Sequence, residues 1–429
     1  MRLSFYNPHT AIGRTFVSFL LRKTHNKKND LFLDIIKNKP CQTALIVDGT
    51  ASSITSGSSL IKLISDNYFF LKIISFFEIY TWCWLNGLNP FTEKIIFNKN
   101  QLDKKQDLVF GFFSLTDTFL NDKVIQKSFL KTFKGKKLLH ATHYFGRTDQ
   151  VAKNVQRVGV RHLLGEANIA KNSFFRKYFS FIKKVYVLPF VLKDRYQSRV
   201  PFAKRSNKCF AVGTLLLLSD TNEAVSGAHS DYMNFFHTNA LHTMRKEIYE
   251  KRDIVKKYID CYISPQTNEK HSQKKHFYSG WAIFKIWASL TNSDLKKYHS
   301  FDIVEKYNQY KMFVCPEENI GLPSINFIEG MACGCAYIGL DSYMYKDLGF
   351  EDGVSYIAYD GTMAGLTQKI QYYQVHQTEL RNIAQKGREL VVNSFKEEVV
   401  TLKFICDMEK FVKTSRLESS FVVENHKNS

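Results

Sequence analysis

The 429-residue sequence is poor in proline, with 8 in all, and the small-residue stretch Gly49 to Ser59 lacks a glycine spacing of the dinucleotide or P-loop type. An ordinary βα turn is at least as good a reading of that stretch as a phosphate loop. No aromatic RNA-binding signature, zinc finger or helix-turn-helix pattern occurs, so no nucleic-acid partner is expected. The N-terminus has no charged-then-apolar leader with a cleavage site, because Arg14, Arg22 and Lys23 bracket only a short apolar run. A cytoplasmic location follows as the expectation. The eight cysteines are scattered, mostly inside apolar runs, as buried reduced thiols would be. Cys333 and Cys335 form a close pair, but no second pair or histidine stands at ligand spacing, which argues against zinc. The longest apolar stretch, Tyr68 to Leu85, is interrupted by Lys72 and Glu78, and reads as a buried or surface-lying helix rather than a membrane span.

What is present is a packed composition, 44% hydrophobic and 14% aromatic. The length suits two domains of roughly 200 residues with a cleft between them. Charge is uneven: through Arg205, Lys and Arg outnumber Asp and Glu 34 to 13, a balance of +21, while the remainder is 26 to 27, or −1. So basic a first half points to a polyanion, and with no nucleic-acid module the expected one is an anionic membrane surface. Phe174 to Lys184 alternates aromatic and basic residues, which fits either an interfacial helix or a surface helix with its aromatics in the core.

Short apolar runs alternate with helical material, the pattern of parallel α/β units. Strands are expected at Ala44 to Asp48, Asp107 to Phe113, Lys137 to Thr142 and Lys184 to Pro189. Gly49 to Ser59 is a small-residue loop after the first of these, where backbone amides could hold an anion or a sugar hydroxyl. Pro189 and Pro201 bracket a polar, basic linker, and Lys208 to Thr214 restarts the topology as a new first strand. The resulting division is 1–205, 206–395, and a C-terminal helix with a polar tail at 396–429 that could cross back to the first domain.

From Met312 the pattern is strand (MFVC), Gly-Pro loop (PEENIGLPS), helix (INFIEGMACG) and strand (AYIGL). A loop leaving the carboxyl end of a parallel strand directs backbone amides into a crevice, an arrangement suited to a diphosphate. A carboxylate further along can accept hydrogen bonds from a ribose diol.

These residues resemble the group 1 glycosyltransferases, or family 4, most clearly from Lys311 to about Phe395: GLP at Gly321 to Pro323, EGMACG at Glu329 to Gly334, the strand Ala336 to Leu340, and DGVSYIAYDG from Asp352. The resemblance implies a GT-B fold, two Rossmann-like domains facing across a cleft. It further implies a retaining, metal-independent transfer of a hexosyl-type sugar from a nucleotide-diphosphate donor to a saccharide or lipid-linked acceptor, in cell-envelope or surface polysaccharide synthesis; the alternative is a non-catalytic GT-B-like protein that binds a sugar or nucleotide as a scaffold. No cofactor is implied, and the protein would sit peripherally on the inner face of the membrane.

In that family two glutamates separated by seven residues flank the loop. The first contacts the donor sugar, loop amides hold the phosphates, and the second binds the ribose. Glu329 matches the second. Glu318 keeps the first one's place relative to GLP, with Glu317 as runner-up, although ten residues separate Glu318 from Glu329 here. Gly321, Leu322, Pro323 and Ser324 form the loop. The family's early arginine and lysine are absent after Gly213. Arg245 and Lys246 stand in for them as cations, or else lie on a solvated helix face. His143 takes the place of a family histidine near the reacting sugar, with His140 in the preceding strand. Arg147 is a further candidate for binding a phosphate.

Overall fold

The structure, a computed structural model, describes residues 129–141, 144–217, 229–265 and 301–423, the strand backbones Leu3–Asn7, Thr43–Val47, Lys94–Ile96 and Leu108–Gly111, and residues 115 and 119. His143, the Tyr68 to Leu85 stretch and the loop Gly49 to Ser59 lie outside the described residues.

The first sheet contains β1 (Leu3–Asn7), β2 (Thr43–Val47), β3 (Lys94–Ile96), β4 (Leu108–Gly111), β5 (Lys136–His140), β6 (His162–Gly165) and β7 (Lys184–Val187). Its order is β3-β2-β1-β4-β5-β6-β7, parallel throughout. The second sheet contains β8 (Ser206–Leu215), β9 (Ile259–Pro265), β10 (Tyr310–Val314), β11 (Ala336–Leu340) and β12 (Ile357–Tyr359), in the order β12-β11-β10-β8-β9, also all parallel. Each sheet thus reverses its strand order once, the first between β1 and β4 and the second between β8 and β10. These are two Rossmann-like units in series, the GT-B arrangement. A ligand crevice is expected outside the carboxyl ends of the strands at such a reversal.

Parallel strands need cover on both faces, and period-two alternation supplies it. In the second sheet Cys209, Ala211, Met312, Val314 and Ile338 pack on one face, while Phe210, Val212, Phe313, Cys315 and Tyr337 pack on the other. The first sheet alternates likewise, with Leu139, Leu163 and Val185 on one side and Leu138, Leu164 and Tyr186 on the other.

One apolar cluster runs through both units because the C-terminal helix Glu397–Thr414 packs back against the first sheet. Tyr186 donates to Asp407 Oδ2 at 2.8 Å, Lys136 Nζ donates to the Val412 carbonyl at 2.6 Å, and His162 meets the Phe411 ring at 5.2 Å. The helix Ser173–Phe179 buries Phe174, Phe175 and Phe179 to 3% exposure or less, against Tyr144, Tyr232 and Phe235. Of the two readings of Phe174 to Lys184, the core one holds: its aromatic face is spent inside the protein. Among the described residues no helix is long and apolar enough to cross a membrane.

Candidate active site

The reversal between β8 and β10 is where the loop 315–325 leaves the sheet. Arg245, on the helix Thr243–Glu250, closes this point from below. It is 6% exposed, and donates from Nε to the Pro316 carbonyl at 2.7 Å and from Nη1 to the Thr214 carbonyl at 3.0 Å. Its Nη2 reaches the Cys315 sulfur at 3.6 Å. One guanidinium thereby ties together the ends of two neighbouring strands. Gly213 makes room for it: a Cβ there would sit 2.8 Å from Arg245 Nε, at a φ of +142°. Lys246, one residue on, points elsewhere, to Asn239 Oδ1 at 3.2 Å and Glu250 at 3.9 Å.

The loop is anchored at several further points. Gly321 donates to the Glu318 carbonyl at 2.7 Å, closing a tight turn, with Gly321 itself at φ +75°. Asn319 accepts from the backbone N–H and hydroxyl of Thr243, at 3.0 and 2.8 Å, and donates from Nδ2 to the Ala240 carbonyl at 2.8 Å. Ser324 and Asn326 direct their polar ends to the Cys315 sulfur, at 3.2 and 3.4 Å. Pro323 is buried, and Leu322 packs with Ile320 into the cluster that includes Tyr144 and Phe174. From the first domain, Asn172 Nδ2 donates to the Ile320 carbonyl at 2.9 Å. Asn168 and Lys171 both reach Asp347 on the helix Tyr343–Asp347, at 2.9 and 3.4 Å. The loop is thus clasped by the opposite domain.

The two adjacent glutamates have different surroundings. Glu317 is buried, its Oε1 accepting from Tyr337 at 3.0 Å, from the Leu340 N–H at 3.2 Å and, at still closer range, from Tyr345. Burial raises its pKa, and these donors oppose the rise. Glu318 is partly exposed as a residue, yet its Oε2 is sealed and has no hydrogen-bond partner. Burial pushes the Glu318 carboxyl up to about 7, opposed by Arg245 and assisted by the Glu166 charge.

The same charges reach the Tyr144 phenol, whose pKa is raised first by burial and then by Glu318, Tyr232, Tyr343 and Glu166. The hydroxyls of Tyr144 and Tyr343 are also buried without partners. Behind them, at the ends of β5 and β6, His140 Nε2 lies 3.1 Å from Glu166 Oε1, with the two residues 1% and 8% exposed. One cluster therefore draws Glu318 and Tyr343 from the second domain and Tyr144, Glu166 and His140 from the first. Chemically it offers a carboxyl that exchanges a proton near neutrality and two phenols able to meet hydroxyl groups.

Glu329 lies in the helix Asn326–Ala332, 4% exposed. It hydrogen-bonds Tyr196 of the interdomain connector, and its charge joins burial in raising the Tyr196 pKa. Arg195 Nη2 donates to Tyr196 Oη at 2.5 Å, so the Glu329 neighbourhood is charge-balanced. Glu329 is thus turned to the connector, Glu318 to the first domain. Arg147 is the residue before the helix Thr148–Arg157, in the left-handed region at φ +43°.

Residues that the sequence did not single out are Asn319, Glu166, Tyr144, Tyr343 and His242. His242 is 7% exposed, and burial followed by the nearby Arg245 charge holds its imidazole neutral. The available signal for Glu166 was its isolation: it is one of three glutamates in the first 205 residues and directly follows the apolar LLG. Among the described residues, no group of three or more His, Cys, Asp or Glu gathers as metal ligands would.

Residues 272–398 match the family described as glycosyl transferase-like. That segment contains the loop, Glu318 and Glu329. No curated protein sequence matches the chain. Among solved structures, a glycosyltransferase from Rickettsia africae is similar over 97% of this chain and 99% of its own, at 13% identity and a TM-score of 0.47. HepE from Anabaena in complex with UDP is similar over 96% and 100%, at 10% identity and 0.49. Sucrose-phosphate synthase from Thermosynechococcus elongatus is similar over 97% and 100%, at 10% and 0.47.

Proposed function

We propose that the chain is a retaining glycosyltransferase that moves a hexosyl-type sugar from a nucleotide-diphosphate donor to a saccharide or lipid-linked acceptor. The observation that carries this reading is Glu318: a glycosyltransferase-like segment places a near-neutral carboxyl, with an unpartnered buried oxygen, at the strand reversal and against the opposite domain. In the proposed mechanism Glu318 meets the donor sugar and the amides of Gly321 to Ser324 meet the diphosphate. Glu329 takes the ribose by exchanging its bond to Tyr196. Arg245 acts by holding the loop and biasing Glu318, since its N–H groups are directed at Pro316, Thr214 and Cys315.

Retention needs the acceptor hydroxyl on the face from which the diphosphate departs. The protein's task is then to position the two partners and stabilise charge, without a covalent nucleophile or a metal ion. His140, fixed by Glu166, and His143 fall to the acceptor side. Closure of the clasp at Ile320 and Asp347 over a bound donor would exclude water. The basic first half faces an anionic membrane, from the cytoplasmic side, where envelope polysaccharide would be assembled.

The test is titration of the purified protein with a panel of nucleotide sugars, followed by turnover with mixed saccharide and lipid-linked acceptors. Binding of one donor with loss of turnover in Glu318→Gln supports the reading. No donor binding, or a Glu318→Gln variant as active as wild type, overturns it. Sedimentation with anionic and neutral vesicles separately tests the membrane: equal, negligible binding to both removes that part.

A further inference from the structure

At the other end of the second sheet a cavity of about 360 Å³ opens between the interdomain connector, the Gly334 turn and the helix Gln377–Ser394. Arg205 immediately precedes β8, and Gly334 and Cys335 precede β11, so the cavity lies at the amino ends of these parallel strands. The loop 315–325 leaves the carboxyl end of the same sheet, so the two places are distinct.

Four arginines line the cavity: Arg199, Arg205, Arg381 and Arg388. No Asp, Glu or Lys does. The choice is selective, because arginine supplies only 15 of the 60 basic residues of the chain. Among the described residues, none of the four forms an ion pair.

Arg205 is the fixed part of the wall. It is 5% exposed and bonded to the Val200 carbonyl from Nε at 3.0 Å and to Ser198 Oγ from Nη2 at 2.9 Å. Gly334, at φ +82°, permits this approach, since a Cβ would stand 3.0 Å from Ser198 Oγ and 3.3 Å from Arg205 Nη2. Arg381 and Arg388 project from one stripe of the helix Gln377–Ser394, seven residues apart, together with Ala384 and Gln385. Both are exposed, as is Arg199 across the cavity. Arg388 uses Nε on the Ala332 carbonyl at 3.3 Å, which leaves its terminal nitrogens available.

We propose that this cavity binds a small phosphate-bearing anion. Like charges confined to one concave space repel one another, and a dianion bridging them removes that cost. Guanidinium forks match phosphate oxygens in pairs, which explains arginine in place of the more abundant lysine. The volume lies within the range of small-molecule sites. One wall is the connector itself, so a bound anion would tie residues 198–202 to the second domain.

The experiment is isothermal titration of the full chain with inorganic diphosphate at low salt, comparing wild type with Arg381→Gln/Arg388→Gln. We expect wild-type binding that weakens with added salt, and at least about a tenfold loss of affinity in the variant. Trypsin cleavage after Arg199 should slow with diphosphate in the wild type and not in the variant. Arg381→Gln alone, which removes no hydrogen bond among the described residues, serves if the double variant melts early. Vesicles containing phosphatidic acid that sediment the wild type but not the variant assign the phosphate to a lipid headgroup. Vesicles that sediment neither assign it to a free ligand. Diphosphate binding equally well to the variant, or absent from the wild type at 10 mM order of concentration, overturns the proposal.

Discussion

The two sides of the loop 315–325 contrast sharply. On the inner side, towards the sheet, Arg245, Cys315, Glu317, Tyr337 and Tyr345 form a hydrogen-bonded block in which the one buried side-chain oxygen without a partner is Glu317 Oε2. On the outer side, towards the first domain, Glu318 Oε2 and the hydroxyls of Tyr144 and Tyr343 are buried with none. A satisfied buried network stabilises a fold, whereas an unsatisfied group costs free energy that the rest of the fold must offset. Inner-side substitutions should therefore cost stability, and outer-side ones should cost function while leaving stability unchanged or improved.

The largest expected effect is on the inner side. Arg245→Met removes a buried cation that joins the ends of β8 and β10, and leaves the carbonyls of Thr214 and Pro316 without their donor. A loss of about 3–5 kcal/mol in urea unfolding is expected. A loss below about 1 kcal/mol would place the loop's anchorage elsewhere, on Asn319, and break the contrast.

Next comes Glu318→Gln on the outer side. Its carboxyl titrates near 7 in the folded protein against 4.5 when unperturbed. Because the folded pKa is raised, the native state holds the proton longer, so the carboxyl costs nothing below pH 4.5. Its penalty grows as pH rises through the window to 7, reaching up to roughly 3 kcal/mol above it. Glutamine lacks this titration, so the variant should gain on wild type in melting temperature between pH 5 and pH 8 while losing turnover. A constant difference across that range would show that the carboxyl is solvated.

Glu317→Ala returns to the inner side. The substitution leaves the Leu340 N–H and two phenols without their shared acceptor, although Tyr337 and Tyr345 keep each other at 2.7 Å. We expect about 2 kcal/mol of lost stability. Donor affinity measured below the melting transition should change little, which separates Glu317 from its neighbour.

Why the sequence revealed some of this and not the rest follows from particular elements. β2, β4, β5, β7, β8, β10 and β11 are legible because a parallel strand covered on both faces must be apolar on both, and β7, although at the sheet edge, is one of these. β9, with the sequence IDCYISP, is not: it lies at the sheet edge, half-buried, where Asp260 and Ser264 are tolerated, and it follows a charged helical run. β6 is only four residues long and begins at a histidine. In the site, Glu318, Glu329 and the GLP loop occupy one continuous stretch with its own pattern. The His140–Glu166 pair, Asn319 at Thr243 and Tyr144 near Glu318 join segments far apart in sequence, and such pairings leave no periodicity to read. Arg245 was visible as a cation, but its use on backbone carbonyls depends on Gly213 lying above it.

Tyr144→Phe is expected to have the smallest effect and draws the contrast most finely. Tyr144 is 1% exposed and meets Phe145, Phe175 and Phe179 edge-on, at centroid distances of 6.0, 5.6 and 5.7 Å. Phenylalanine keeps the ring and all of that packing, and removes only the hydroxyl. If the hydroxyl is a structural group, its loss costs about 1 kcal/mol. If it awaits a ligand, its removal relieves a buried unsatisfied oxygen, so stability should stay level or rise by up to about 1 kcal/mol. In that case the cost appears only when a sugar is bound, as an increase in KM with kcat nearly unchanged. A variant that is less stable yet kinetically normal would move Tyr144 into the inner group and leave Tyr343 as the phenol of the outer side.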